Sequence, residues 1–123
     1  MANINSFEDI NAWKLGREFN KQIYDITNVG NFERDFDLKR QIRRASVSIS
    51  SNIAEGFERN TDKEFVYFLY VAKASAGEVR SQLYLAYDLS YIENDDFLQL
   101  KEKVENISKM LSGLIKYLKK EID

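Results

Sequence analysis

The residues best placed to do chemistry lie in the stretch RRASVSISSNIAEGFER, Arg43 to Arg59. Arg44, Ser48, Asn52, Glu55 and Arg59 recur there every three or four positions. On a helix that spacing lines two guanidiniums, a hydroxyl, an amide and a carboxylate along one ridge. Two roles fit such a ridge. It is a solvated face, as most charged stripes are, or a partly buried network in which Glu55 is held by Arg44 or Arg59 while Ser48 and Asn52 fill the remaining donors and acceptors. A serine nucleophile is a third role, but nothing is present to activate it. The chain has no histidine and no cysteine, which excludes a Ser-His-Asp triad, thiolate chemistry and disulfides, and removes the usual zinc ligands. A di-metal site would need Glu-x-x-His motifs on facing helices, and these cannot be built. An unrecognised carboxylate pair around Glu55 and Glu78 is the remaining route to catalysis. The expectation is a non-enzymatic protein with no cofactor and no metal.

A second cluster reads either as solvated surface, as most charge clusters are, or as a contact for phosphate. Lys39, Arg40, Arg43 and Arg44 gather within six residues, with Arg34 about a turn earlier. Glu33, Asp35 and Asp37 sit beside them and weaken their field. The net charge of the chain is −2, so affinity for RNA or DNA must be local rather than global. If several copies assemble, a modest patch becomes a repeated one, and contact with phosphate grows by multivalency.

These groups depend on the elements that carry them. The chain has no proline and only five glycines in 123 residues, so long uninterrupted helices are permitted. Read in twos, Ser46-Val47-Ser48-Ile49-Ser50 alternates like a strand, but Leu38, Ile42, Ala45, Ile49, Ile53 and Gly56 recur at helical spacing over the whole segment. Length decides for helix. Four helical segments follow. The first runs from the box Ser6-Phe7-Glu8-Asp9 to about Thr27, with Ile10, Leu15, Phe19, Ile23 and Ile26 apolar, and ends at the turn Asn28-Val29-Gly30-Asn31. The second runs from about Glu33 to Phe57. The third starts with the box Thr61-Asp62-Lys63-Glu64 and carries Phe65, Phe68, Leu69, Ala72, Ala76, Val79, Leu83 and Ala86 to about Ser90. Asn94-Asp95-Asp96 caps the fourth, in which Phe97, Leu100, Val104, Ile107, Leu111, Leu114 and Leu118 form a bundle seam. Short loops between long helices predict an all-α, antiparallel up-down-up-down four-helix bundle as one domain over residues 1–123. No apolar run approaches the roughly 20 residues of a membrane span, and the N-terminus lacks a signal core. A soluble cytoplasmic protein is expected.

The third segment has more aromatic surface than one core stripe needs. Tyr67, Tyr70, Tyr84, Tyr87 and Tyr91 either cover the bundle ends, since tyrosine tolerates a wet hydroxyl, or make a second apolar face that a neighbouring copy of the chain would cover, which is the preferred reading. Lys101, Lys103, Lys109, Lys116, Lys119 and Lys120 alternate with Glu102, Glu105 and Glu121 in the fourth segment and read as a solvent face.

The string Arg43 to Arg59 closely resembles the signature of the four-helix-bundle proteins encoded in 23S rRNA intervening sequences, also labelled S23 ribosomal protein. Trp13, Ile23-Tyr24, Gln41-Ile42, Glu64-Phe65, Ala72-Lys73-Ala74-Ser75 and Glu78 resemble secondary motifs of the same family, in order, over nearly all the chain. The resemblance implies a bundle that assembles as a five-membered ring. One branch, the accessory variability determinant of diversity-generating retroelements, is a basic pentameric barrel that binds nucleic acid and a partner reverse transcriptase, and this chain departs from it in its acidic balance. The combined expectation is a homo-oligomeric, by resemblance pentameric, scaffold or adaptor that contacts RNA or DNA through Lys39, Arg40, Arg43 and Arg44. The alternative is a protein-interaction module that uses its tyrosine face or ring rim and binds no nucleic acid.

Overall fold

A computed structural model describes residues 4–122 and shows an all-α fold, with no strand among the described residues. A 3-10 turn, Phe7–Asp9, precedes five helices: α1 (Asn11–Ile26), α2 (Gly30–Arg34), α3 (Phe36–Phe57), α4 (Asp62–Asp88) and α5 (Asn94–Ile122). The stretch that alternates like a strand lies wholly within α3. Ser46 and Ser50 face α1, Ser48 faces α4, Ile49 is fully buried and Val47 points outward.

The elements differ from the sequence expectation where side chains cap the backbone. The first segment is interrupted at Ile10, whose backbone is extended. Asp9 folds its carboxylate back onto the N–H groups of Asn5 and Ser6, at 3.1 and 3.3 Å, and so closes a separate short turn. The second segment is broken at Asp35. Its Oδ1 accepts from the Leu38 N–H at 3.1 Å, which makes it the N-cap of α3, and its Oδ2 accepts from the Tyr91 hydroxyl at 2.9 Å. An Asp that can satisfy the first-turn donors favours a helix start over a helix interior. The detached turn α2 seats Phe32, which is fully buried, against the Tyr91 ring at 5.3 Å. Thr61 caps α4 as expected, accepting from the Glu64 N–H at 3.1 Å. The helix stops at Asp88 because Ser90 takes a left-handed φ of 62° and the Tyr91 N–H bonds back to the Ala86 carbonyl, a Schellman-type ending. α5 begins at Asn94 itself, and the Glu93 carbonyl accepts the Phe97 N–H.

The core runs along all four long helices. All six apolar positions read in the second segment, Leu38 to Gly56, are buried. In α5 the seam passes through Ile115 rather than Leu114, which is half-buried. Packing closes a circuit in which α3 lies against α1 and α4, and α5 against α4 and α1. Residue numbers fall on one helix as they rise on its neighbour. Ser50 meets Gly16 and Arg43 meets Thr27; Gly56 meets Phe68 and Ser48 meets Ser75; Lys119 meets Tyr70, Arg80 meets Glu105 and Tyr87 meets Phe97.

Candidate functional site

The polar ridge on α3 divides into three parts. Ser48 and Asn52 are half-buried: the Asn52 amide donates to the carbonyl and the hydroxyl of Ser48, at 2.8 and 2.9 Å, and the Ser48 hydroxyl bonds Ser75 on α4 at 2.9 Å. Glu55 and Arg59 form a separate pair at 3.5 Å with side chains 57% and 46% exposed, and Arg59 lies over the Phe68 ring at 4.8 Å. Arg44 is exposed and makes no hydrogen bond or ion pair to either part among the described residues. The single network through Glu55 is therefore corrected. One helical turn separates Glu55 from Asn52, and at that point the ridge has already rotated into water. Glu55 and Glu78 do not meet either. With Ser48 level with Ser75, the two carboxylates sit roughly 15 Å apart along the axes, and Glu78 instead accepts from Gln82 at 3.1 Å.

A buried polar cluster does exist, on the opposite flank of α3. Asn20 of α1 accepts from the Ser46 hydroxyl at 2.7 Å and donates to Ser50 Oγ at 3.0 Å, and Ser50 donates on to the Val47 carbonyl. Ser46 is fully buried and Ser50 nearly so. The sequence carries a signal for it, Ser46 and Ser50 four residues apart facing Asn20 and Gly16 four apart, but only the α1–α3 contact shows that the two signals are one.

The four cations do converge. Lys39, Arg40, Arg43 and Arg44 line a surface groove of about 660 Å³ together with Tyr24, Phe36 and Val47. Arg43 is held rather than free. Its Nε donates to Thr27 Oγ1 at 2.8 Å, its Nη2 to the Tyr24 carbonyl at 3.2 Å, and its Cζ lies 4.2 Å from the Tyr24 ring centre. It thereby caps the C-terminus of α1, where the helix dipole favours a cation. Thr27, buried and bonded to the Ile23 carbonyl at 2.7 Å, completes that anchor. Phe36, 66% exposed at the groove's edge, is an aromatic that periodicity alone does not single out, because it belongs to no core stripe.

The five tyrosines also separate. Tyr91 is half-buried in the monomer against Phe32 and Asp35, which corrects its place on an outward face. Tyr84 and Tyr87 pack on Phe97 at 5.0 and 4.7 Å while remaining partly exposed. Tyr67 and Tyr70 are open, at 64% and 48%. Among the described residues, no three Asp or Glu side chains gather to hold a metal ion, and no helix is long and apolar enough to cross a membrane.

A family model matches residues 8–113 of the chain. The chain belongs to the 23S rRNA-intervening sequence protein family. A similar solved structure is a protein of unknown function from the S23 ribosomal protein family of Bacteroides thetaiotaomicron. It is 26% identical, its match covers 85% of this chain and 98% of that one, and the TM-score is 0.78. No curated protein matches the chain. In this member of the family, residues of the Arg43-to-Arg59 string serve mainly as packing and capping groups.

Proposed function

We propose that this family member is a non-enzymatic cytoplasmic scaffold: an antiparallel up-down-up-down bundle that assembles into a homo-oligomeric ring, with a pentamer as the reading from family resemblance, and contacts RNA or DNA through the α3 groove. The observation that carries the nucleic-acid part is the grouping of Lys39, Arg40, Arg43 and Arg44 with Tyr24 and exposed Phe36 in one concavity. Cations that track a phosphate backbone beside an aromatic on which a base stacks are the working parts of single-strand binding. The rising-against-falling contacts of neighbouring helices support the bundle topology. Repetition around a ring would supply the avidity that a chain of net charge −2 lacks. A nucleic-acid enzyme such as a reverse transcriptase is the class of partner that such a ring would serve.

Anisotropy of a labelled single-stranded RNA, titrated across a salt series, tests this reading. Affinity should fall as salt rises, by a log–log slope of about 0.7 per phosphate contacted, and Arg40→Glu should weaken binding and flatten that slope. Binding unchanged by salt and by Arg40→Glu would remove the nucleic-acid role. Sedimentation should give a mass several times 14.4 kDa, and a 14.4 kDa particle at high concentration would remove the ring.

The exposure of Tyr67 and Tyr70 favours one second reading, a protein-interaction module. Recovery of a stoichiometric protein partner after nuclease treatment, together with absent RNA binding, would select it.

A further inference from the structure

A second concavity, of about 470 Å³, lies between α4 and α5, apart from the α3 groove, and four lysines line it: Lys73 from α4, and Lys116, Lys119 and Lys120 from α5. Tyr70 and Ser112 complete its polar rim over the buried Ile115, and no carboxylate lines it. We propose that this cradle binds a chain of adjacent phosphate groups.

The case rests on how the structure sorts the lysines of α5, which in sequence alternate with glutamate as a solvent face does. Lys101 and Lys103 are neutralised, while Lys109 forms no ion pair with a described carboxylate and lies outside the cradle. Lys101 pairs with Glu105 at 3.3 Å, and Lys103 reaches Glu18 of α1 at 3.5 Å. The four in the cradle form no ion pair with a described carboxylate. Local spacing explains the difference. Lys116 has Ser112 and Gly113 behind it and Lys119 and Lys120 ahead at three and four residues, while Lys73 has Leu69, Tyr70, Ala76 and Gly77 at those offsets. Like charges at these spacings repel. The C-terminal dipole of α5 offsets this for Lys119 and Lys120, which lie in its last turn. It does not reach Lys116, more than a turn from the end, or Lys73 in mid-helix on α4. An anion shared by all four relieves the repulsion.

The donors indicate the chemical class of that anion. Ammonium groups on flexible stems are point charges that suit tetrahedral phosphate oxygens and lack the planar fork that selects a carboxylate. From Ser112 to Lys120 the cradle extends along α5 by roughly 12 Å, more than one phosphate spans. Tyr70, whose ring centre lies 6.0 Å from Lys119 Nζ, closes one side. Adjacent phosphates come either from a nucleic-acid strand or from a free oligophosphate, and both present the same chemistry here.

The test is calorimetric titration of the full chain, at fixed ionic strength, with inorganic tripolyphosphate, orthophosphate and the oligonucleotide dT10. Tripolyphosphate is expected to bind at least tenfold more tightly than orthophosphate. Lys73→Gln combined with Lys116→Gln should weaken it at least tenfold with unchanged far-UV circular dichroism, and Lys109→Gln, on α5 but outside the cradle, should leave it unaltered. Competition between dT10 and tripolyphosphate, lost in the double variant, identifies a nucleic-acid backbone as the source. Tripolyphosphate binding without competition from dT10 identifies a free oligophosphate. Equal affinity for orthophosphate and tripolyphosphate, no binding of tripolyphosphate, or a folded double variant that binds like the wild type would overturn the proposal.

Discussion

Replacing Gly56 by alanine isolates the contact on which the α3–α4 packing depends. Gly56 is buried inside α3, and a Cβ built there would lie 2.6 Å from Phe68 Cβ and 3.0 Å from Phe65 Cδ1. Comfortable carbon–carbon contact is about 3.5–4.0 Å, so something must move by roughly 1 Å. Phe65 can turn its ring. Phe68 Cβ is one bond from the backbone, so α4 itself must shift at the most extensive helix pair in the molecule. Overpacking of this kind costs up to about 3 kcal/mol, against a gain of about 1 kcal/mol from exchanging glycine for alanine inside a helix. The net expectation is a loss of about 2 kcal/mol. For a chain of this size that is a melting temperature lower by roughly 6–12 °C. Gly77 and Gly113 provide the internal control, because a Cβ at either meets nothing within 4 Å. Alanine there should stabilise by about 0.5–1 kcal/mol through the backbone alone. Melts followed by circular dichroism at 222 nm, all at one protein concentration because association shifts the midpoint, measure both signs together. A Gly56→Ala melting temperature at or above the wild type would refute the close approach of α3 and α4.

Glu55→Ala should change stability by less than about 0.5 kcal/mol, since its pair with Arg59 is exposed; urea denaturation checks it, and a loss of several kcal/mol would restore a buried network. Asn20→Ala should cost about 1–3 kcal/mol by stranding the buried Ser46 hydroxyl, and adding Ser46→Ala to that background should cost little more. Arg43→Ala should destabilise by about 1–2 kcal/mol because it uncaps α1, whereas Arg44→Ala should fall within about 0.5 kcal/mol of the wild type; denaturation midpoints separate them. The hydrogen bond that Tyr91 donates to Asp35, followed by burial and by the Asp35 charge, raises the tyrosine pKa from its ordinary 10.0. The stability this contributes is complete below pH 10.0 and is lost as pH rises through the raised folded value. Alkaline melts of the wild type should therefore lose a component that Tyr91→Phe lacks.

The groove and the cradle differ in how they meet the net charge of −2. In the groove one cation of four is committed to α1, and its aromatic neighbours add stacking surface to charge. In the cradle none of the four is committed to a described carboxylate, and lysines are four of the seven lining residues. A salt series on single and combined groove and cradle variants would apportion the two.

The sequence alone determines the helices, their buried faces and the family signature, because the three-and-four recurrence of Leu38, Ile42, Ala45, Ile49 and Ile53 is a local property that any packed helix must obey. The clustering of Lys39, Arg40, Arg43 and Arg44 is legible for the same reason, since one helical stretch carries all four. What tertiary structure decides is the partner of each polar group. Asp35 caps α3 locally through Leu38, but its second oxygen is filled only when Tyr91 arrives from 56 positions away, and Ser46 and Ser50 become buried only when Asn20 crosses to meet them. Arg43 gains an anchor when the end of α1 lies beneath it. Lys116 and Lys73 share a cradle only because α5 folds back along α4. Periodicity says which side of a helix is dry, but a hydrogen bond or a charge pair forms within about 3–4 Å of a specific atom, and that atom is supplied by another helix.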